Sequence, residues 1–268
     1  MRVTFVPMVS SIVGTVLSLV LISLCIYTFG FGLNGIPLAL FIQSSIVLAT
    51  TMTYSFCKPE VRKCLQPFNS HSLDEWMEYI KVSSGNMIMI CGEWWAFEVL
   101  TIMAGFLGVM ELAAQTICFN VSPILFMIPV AMSSATCALM GNSIGANNIP
   151  LAQRFLALTW KITLLVVVIL ALTVIFTRRF IVSAYTQDEE LIEMAASVLI
   201  ITGCNYLGDG MQGYLQGPIR ALHLQRKASY VSIVCMWLLG LPLAATFAFA
   251  CDFGVRGLLM GFLAATAL

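Results

Sequence analysis

The sequence predicts an all-α, polytopic integral membrane protein of about eight transmembrane helices. Sixty per cent of its 268 residues are hydrophobic and only 10% are charged, whereas soluble domains carry roughly a quarter charged residues. The apolar residues arrive in runs of roughly 20, the length of helix that crosses some 30 Å of hydrocarbon. The links between most runs are short and carry Gly, Asn or charge.

The first run follows Arg2 and extends from Val3 to Phe29. It is too long for the apolar core of a signal peptide and lacks an A-x-A site, so it reads as a spanning helix at about 7–29. A second span covers about 35–57. The stretch from Lys58 to Val82 is the longest and most charged connection and reads as a linker between two bundles. Six more spans follow at about 83–107, 112–140, 154–177, 190–217, 228–250 and 253–268. Pro123 and Pro129 sit inside the fourth, where proline loosens the helical ladder. Gly141–Asn148 then reads as a tight inter-helix turn, because the Lys-Ser/Thr pair of a phosphate-binding loop is missing.

Lys and Arg set the orientation. With alternating spans, one side receives Arg2, Lys58, Arg62, Lys63, Lys81, Arg154, Arg220, Arg226 and Lys227, and the other only Arg178, Arg179 and Arg256. The excess places the amino terminus and the linker in the cytoplasm. A short internal repeat links Phe31-Gly32-Leu33-Asn34-Gly35-Ile36 to Phe253-Gly254-Val255-Arg256-Gly257-Leu258. Six spans separate the two, the spacing of parallel six-helix repeats in transporters.

Several classes are disfavoured. Formal net charge is zero, so nothing points to nucleic acid. Nine cysteines lie mostly within apolar runs without a C-x-x-C pair, so neither metal nor disulfide framework is expected. H-E-x-x-H and G-x-S-x-G are missing, and His71 and His223 are isolated in loops. No enzyme site, cofactor or metal site is expected.

The chemistry centres on Glu93-Trp94-Trp95-Ala96-Phe97-Glu98. An acidic residue at a helix centre costs about 2.5–3.5 kcal/mol to insert, and Glu93 falls about ten residues into its span. Glu93 and Glu98 differ by about 140° around the helix. One is therefore expected at a cavity and the other against a neighbouring helix or the rim. The nearby rings of Trp94 and Trp95 attract organic cations, worth roughly 0.5–2 kcal/mol per contact. The alternative is a buried carboxylate bonded to a partner helix, with the tryptophans at an interface belt. Asn205, Asp209, Gln212 and Gln216 step by four, three and four along the sixth span, and such a stripe faces a water-filled cavity or a polar neighbour. Gly213 and Gly217 beside it form a G-x-x-x-G face, the mark of close helix packing. Gln115, Thr116 and Asn120 add polar groups to the fourth span.

Taken together, these motifs resemble the eukaryotic branch of the multidrug and toxic compound extrusion (MATE) transporters. Glu93–Glu98 is similar to that branch's E-W-W-x-[FY]-E motif in its seventh helix, Glu111–Gln115 to the start of its eighth, and Asp209-Gly210-x-Gln212-Gly213 to the tenth-helix motif of plant members. Asn142-x-x-Gly145-Ala146 resembles the following turn, Gly240-Leu241-Pro242 the eleventh helix, and Gly35-Ile36-Pro37 the sixth. Departures fall in turns: Leu139 and Asn147 replace an Arg and a Gly, and Arg220-Ala221-Leu222-His223 replaces R-G-x-G.

The resemblance implies that residues 1–57 are the last two helices of the N-terminal lobe. It makes 58–82 the cytoplasmic inter-lobe linker and 83–268 a C-terminal six-helix lobe with a truncated last helix, the first four helices being absent. It also implies a secondary antiporter that exports organic cations, drugs or metabolites in exchange for protons or sodium, with no other cofactor. Glu93 and Asp209 would bind proton and substrate, with Glu98, Trp94, Trp95, Gln115, Asn120, Asn205 and Gln212 lining or supporting the cavity. Expected partners are a small-molecule substrate and the lipid bilayer of a plasma, vacuolar or vesicular membrane, with a monomer as the working form. The alternative is a non-transporting fragment or a regulatory subunit of a longer relative.

Overall fold

Each apolar run becomes a helix, and most of these helices are longer than a bilayer requires. The computed structural model describes residues 5–57, 74 and 76–266, and no strand occurs among them. The chain divides into two units, Met1–Asp74 and Glu75–Leu268. The first holds α1 (Phe5–Ser23, continued by a π-helical turn at Leu24–Thr28) and α2 (Gly35–Cys57). The second holds α3 (Trp76–Leu107), α4 (Val109–Gly145), α5 (Ile149–Ser183), α6 (Glu189–Ala221), α7 (Gln225–Ala250) and α8 (Gly254–Thr266).

Seven of these helices have the length and hydropathy to cross a membrane. The eighth expected span, α8, has 13 helical residues among the described ones, against about 20 for a full crossing. Helices α3 to α6 run 32 to 37 residues, or about 48–56 Å at 1.5 Å per residue. Their ends therefore project beyond the hydrocarbon. This shifts several expected boundaries, and α5 runs over Ile149–Ser183 rather than 154–177. α3 is already helical from Trp76 rather than 83, and α4 continues to Gly145 rather than ending at 140. Hydropathy marks where a helix meets lipid, whereas the hydrogen-bond ladder continues until a residue breaks it. Here the turn narrows to Ala146–Asn148, with Asn147 at φ 55° and the Asn148 side chain accepting from Leu151 N at 3.2 Å. The linker residues 58–73 and 75, with His71, lie outside the described residues, as do Arg2 and Leu268.

α6 is the centre of the second unit. Half of its most apolar stretch is buried, against 22–24% in α3, α4, α5 and α7. Small residues admit its neighbours. A Cβ on Gly203 or Gly210 would meet Ile175 at 2.7 Å or Val167 at 3.0 Å, both on α5. A Cβ on Gly213 or Gly217 would strike Phe126 or the backbone of Ser133, both on α4. The expected G-x-x-x-G face is thus the α4–α6 contact. Asp188 caps α6 by accepting from Glu190 N at 3.0 Å. Glu189 and Glu190 in its first turn and Arg220 in its last complement the helix dipole.

The internal repeat has a structural counterpart at positions 222 residues apart. A π-helical turn at Leu24–Thr28 matches one at Thr246–Ala250. Phe29 N bonds Leu24 O and Phe31 N bonds Cys25 O, just as Cys251 N bonds Thr246 O and Phe253 N bonds Phe247 O. Gly32 and Gly254 both adopt left-handed φ, 54° and 58°, which glycine reaches without a Cβ penalty. Gly35 and Gly257 then lie against the backbone ten residues earlier: a Cβ would sit 3.2 Å from the Cys25 carbonyl carbon and 2.6 Å from that of Phe247.

Candidate functional site

The chemistry-bearing residues of α3, α4 and α6 converge inside the second unit. Glu93 is buried, 3% exposed, and its Oε2 accepts from Gln216 Nε2 at 3.0 Å. The backbone around it is pinned from the other side, since Trp237 Nε1 of α7 donates to Gly92 O at 2.9 Å. Asp209 is 7% exposed. Both carboxylates line one open cleft of about 360 Å³, counting the solvent at its mouth, walled by Trp94, Phe97, Phe119 and Phe126.

Asp209 also lines a second space of about 390 Å³, again counting open solvent, with Gln115, Thr202, Asn205 and Tyr206. Phe97 and Phe119 border both spaces, their ring centroids 6.4 Å apart. Asp209 Oδ1 and Gln115 Oε1 are buried without a hydrogen-bond partner among the described residues. Two acceptors without donors favour a guest that donates hydrogen bonds or carries positive charge.

Proline shapes the wall. Pro129 has no N–H, which leaves the carbonyl of Leu125 without its helical donor. Tyr206 Oη supplies one at 2.9 Å, fixing α6 to α4 three residues before Asp209. Pro123 likewise removes the helical donor for Phe119, the ring shared by the two cavities. Lower on α6, Arg220 donates to Gln216 O at 3.1 Å and to Ser133 Oγ at 3.3 Å. This holds the turn that carries Gln216 against α4.

Of the residues singled out from sequence, Glu93 and Trp94 line the first cleft, Gln115 and Asn205 line the second, and Asp209 lines both. Trp95 (61% exposed), Glu98 and Asn120 are exposed and border neither cavity. Helix geometry explains this. Glu98 lies five residues beyond Glu93 and Asn120 five beyond Gln115, an offset of about 140° in each case. Gln212 is half-buried and also outside both cavities. Sequence reasoning gave no site role to Gln216, although it sits two turns from Asp209 on the same stripe. It also missed Tyr206 and the rings of Phe119 and Phe126, whose contribution depends on which helices are neighbours. Among the described residues no three His, Cys, Asp or Glu side chains group as metal ligands, and the cysteines are free.

Removing the Gln216 donor should be measurable. Gln216→Leu leaves a buried carboxylate oxygen without its partner, a cost of about 1–3 kcal/mol. The expected result is a thermal midpoint in detergent lowered by several degrees, with helix content unchanged.

Comparison with known proteins follows this geometry. A family model described as MatE matches residues 86–246, well over half of the chain. The chain belongs to the MatE family. Multidrug and toxin extrusion protein 1 of Oryctolagus cuniculus is 30% identical over 189 residues, covering 70% of this chain and 33% of the relative. An uncharacterized transporter of Schizosaccharomyces pombe is 29% identical, covering 87% and 43%. Protein DETOXIFICATION 36 of Arabidopsis thaliana is 26% identical, covering 94% and 50%. This MatE chain thus spans between a third and a half of the length of these curated relatives. Its fold matches the crystal structure of the eukaryotic MATE transporter AtDTX14, with a TM-score of 0.91 at 22% identity over 96% of this chain and 58% of that one. A Vibrio cholerae MATE transporter, VcmN, matches with a TM-score of 0.82 at 18% identity over 98% and 59%.

Proposed function

We propose that the protein is a secondary antiporter that moves organic cations across a membrane in exchange for protons, sodium being the alternative coupling ion. The observation that carries this reading is the pairing of two buried carboxylates, Glu93 and Asp209, in a cleft walled by four aromatic rings. Charged carboxylates there attract a cation, and the rings add cation–π contacts. Protonation cancels that attraction and releases the cation; deprotonation restores it. Linkage makes the coupling reciprocal: protons weaken cation binding by the factor by which the cation weakens proton binding. Glu93 and Asp209 act as the shared site, Trp94 as an aromatic wall, and Gln115 and Asn205 as polar lining of the space behind Asp209. The excess of Lys and Arg on one side supports a cytoplasmic amino terminus. Substrates are organic cations or related small molecules.

Uptake of radiolabelled tetraethylammonium by vesicles containing the full chain tests this. A pH gradient in sodium-free buffer should raise uptake several-fold over protein-free vesicles. Equal uptake with and without the gradient contradicts proton coupling, and a requirement for sodium assigns the coupling to that ion. No uptake under either condition favours a non-transporting subunit.

A further inference from the structure

A further cleft lies at the opposite end of α3 from Leu107, about three helical turns from Glu93. Met77, Glu78 and Lys81 from the first turns of α3 face His223, Gln225 and Arg226 across an open space of about 990 Å³, counting the solvent at its mouth. Gly85 sets the approach of the two helices: a Cβ there would lie 3.4 Å from the Arg226 backbone. The cleft gathers two permanent cations and a histidine against one carboxylate, and none of them forms an ion pair among the described residues. The start of α7 adds to the positive field, because Leu224 at its N-cap offers no side-chain acceptor to the first amides.

Depth suggests the occupant. With Glu93 near the bilayer midplane, Lys81 lies twelve residues earlier, about 18 Å along the helix. That is just beyond the roughly 15 Å half-thickness of the hydrocarbon. Trp76, Tyr79 and Tyr230, within four residues of the lining in sequence, are exposed at 54%, 70% and 60%, and such rings mark the membrane–water interface. Met77, 76% exposed, gives the cleft an apolar wall. Basic pockets between spanning helices at this level suit lipid headgroups.

We propose that this cleft binds the phosphate of an anionic phospholipid at the bilayer surface, held chiefly by Lys81 and Arg226. Glu78 offsets one of the two permanent cations, so Lys81, Arg226 and Glu78 together carry a net charge of one. The site therefore suits a monoanionic phosphodiester, such as phosphatidylglycerol, better than a polyphosphorylated headgroup.

The test titrates the full chain in detergent with fluorescent phosphatidylglycerol, phosphatidylcholine serving as the neutral comparison. Phosphatidylglycerol should bind at least tenfold more tightly. Lys81→Ala with Arg226→Ala should weaken it about 10- to 30-fold, while Lys81→Arg keeps it within about threefold and Glu78→Gln tightens it. Arg179→Ala, which removes a cation whose exposed ion pair with Glu193 is on a different helix pair, should leave it unchanged. Equal binding of the two lipids overturns the proposal, as does undiminished binding by the double variant. Displacement by inorganic phosphate at concentrations equal to those of the lipid would reassign the site to free phosphate and overturn the lipid assignment. Should the double variant fail to fold, the Lys81→Arg and Glu78→Gln variants decide the matter: unchanged affinity in Glu78→Gln contradicts the charge match.

Discussion

Glu93→Gln should abolish proton-driven tetraethylammonium movement in vesicles while leaving the helices folded. Glutamine keeps the volume of the side chain, and its Oε1 still accepts from Gln216. What disappears is the negative charge and the site's ability to exchange a proton. A charge-assisted contact in a buried site is worth about 1.5–3 kcal/mol, so cation affinity should fall about 10- to 150-fold even without a pH gradient. Glu98→Gln provides the comparison. Glu98 is exposed and lines neither cavity, so its replacement should change transport less than twofold. Transport by Glu93→Gln at the wild-type rate removes Glu93 from the mechanism.

Gly217→Val should unfold the α4–α6 contact. A Cβ at this position would collide with the carbonyl of Ser133, and its nearest other neighbours, at 2.6 and 2.8 Å, belong to the same residue. Overpacking against flexible side chains costs about 1–3 kcal/mol; here the obstacle is backbone, so the upper end or more applies. The expected loss of at least about 3 kcal/mol corresponds to a fall of roughly 6–12 °C in the thermal midpoint. Gly213→Ala should cost less, because the obstacle is the ring of Phe126, which has rotamer freedom. A Gly217→Val protein that melts like the wild type would show that α4 and α6 do not pack at this crossing.

The spans were legible in the sequence because hydrocarbon thickness imposes a run length, and the runs near Ile149–Ser183 and Glu189–Ala221 are hard to misread. Helix ends were less legible. Trp76–Lys81 carries Glu78 and Lys81, and Gly141–Gly145 is polar and glycine-rich, yet both continue the ladder outside the lipid. The repeat was readable from two glycine-rich hexapeptides, because the left-handed Gly32 and Gly254 and the close-packed Gly35 and Gly257 are positions where the backbone excludes other residues.

At the site, periodicity separated Glu93 from Glu98 but did not say which of them turned inward. That choice depends on Gln216 and Trp237, contributed by helices more than a hundred residues away. The same limit hid the bond from Tyr206 to the Leu125 carbonyl. Pro129 announces an unmet acceptor in its own helix, but nothing local names the donor.

The most direct measurement is the proton count on cation binding. Tetraethylammonium is added to the purified full chain in weakly buffered detergent solution at several pH values around neutrality, and the released protons are titrated. Near the pH where release is largest, close to one proton should leave per cation bound, with release lost in both Glu93→Gln and Asp209→Asn. Tight cation binding with no proton released at any pH, or release undiminished in both variants, would contradict a shared site for proton and substrate.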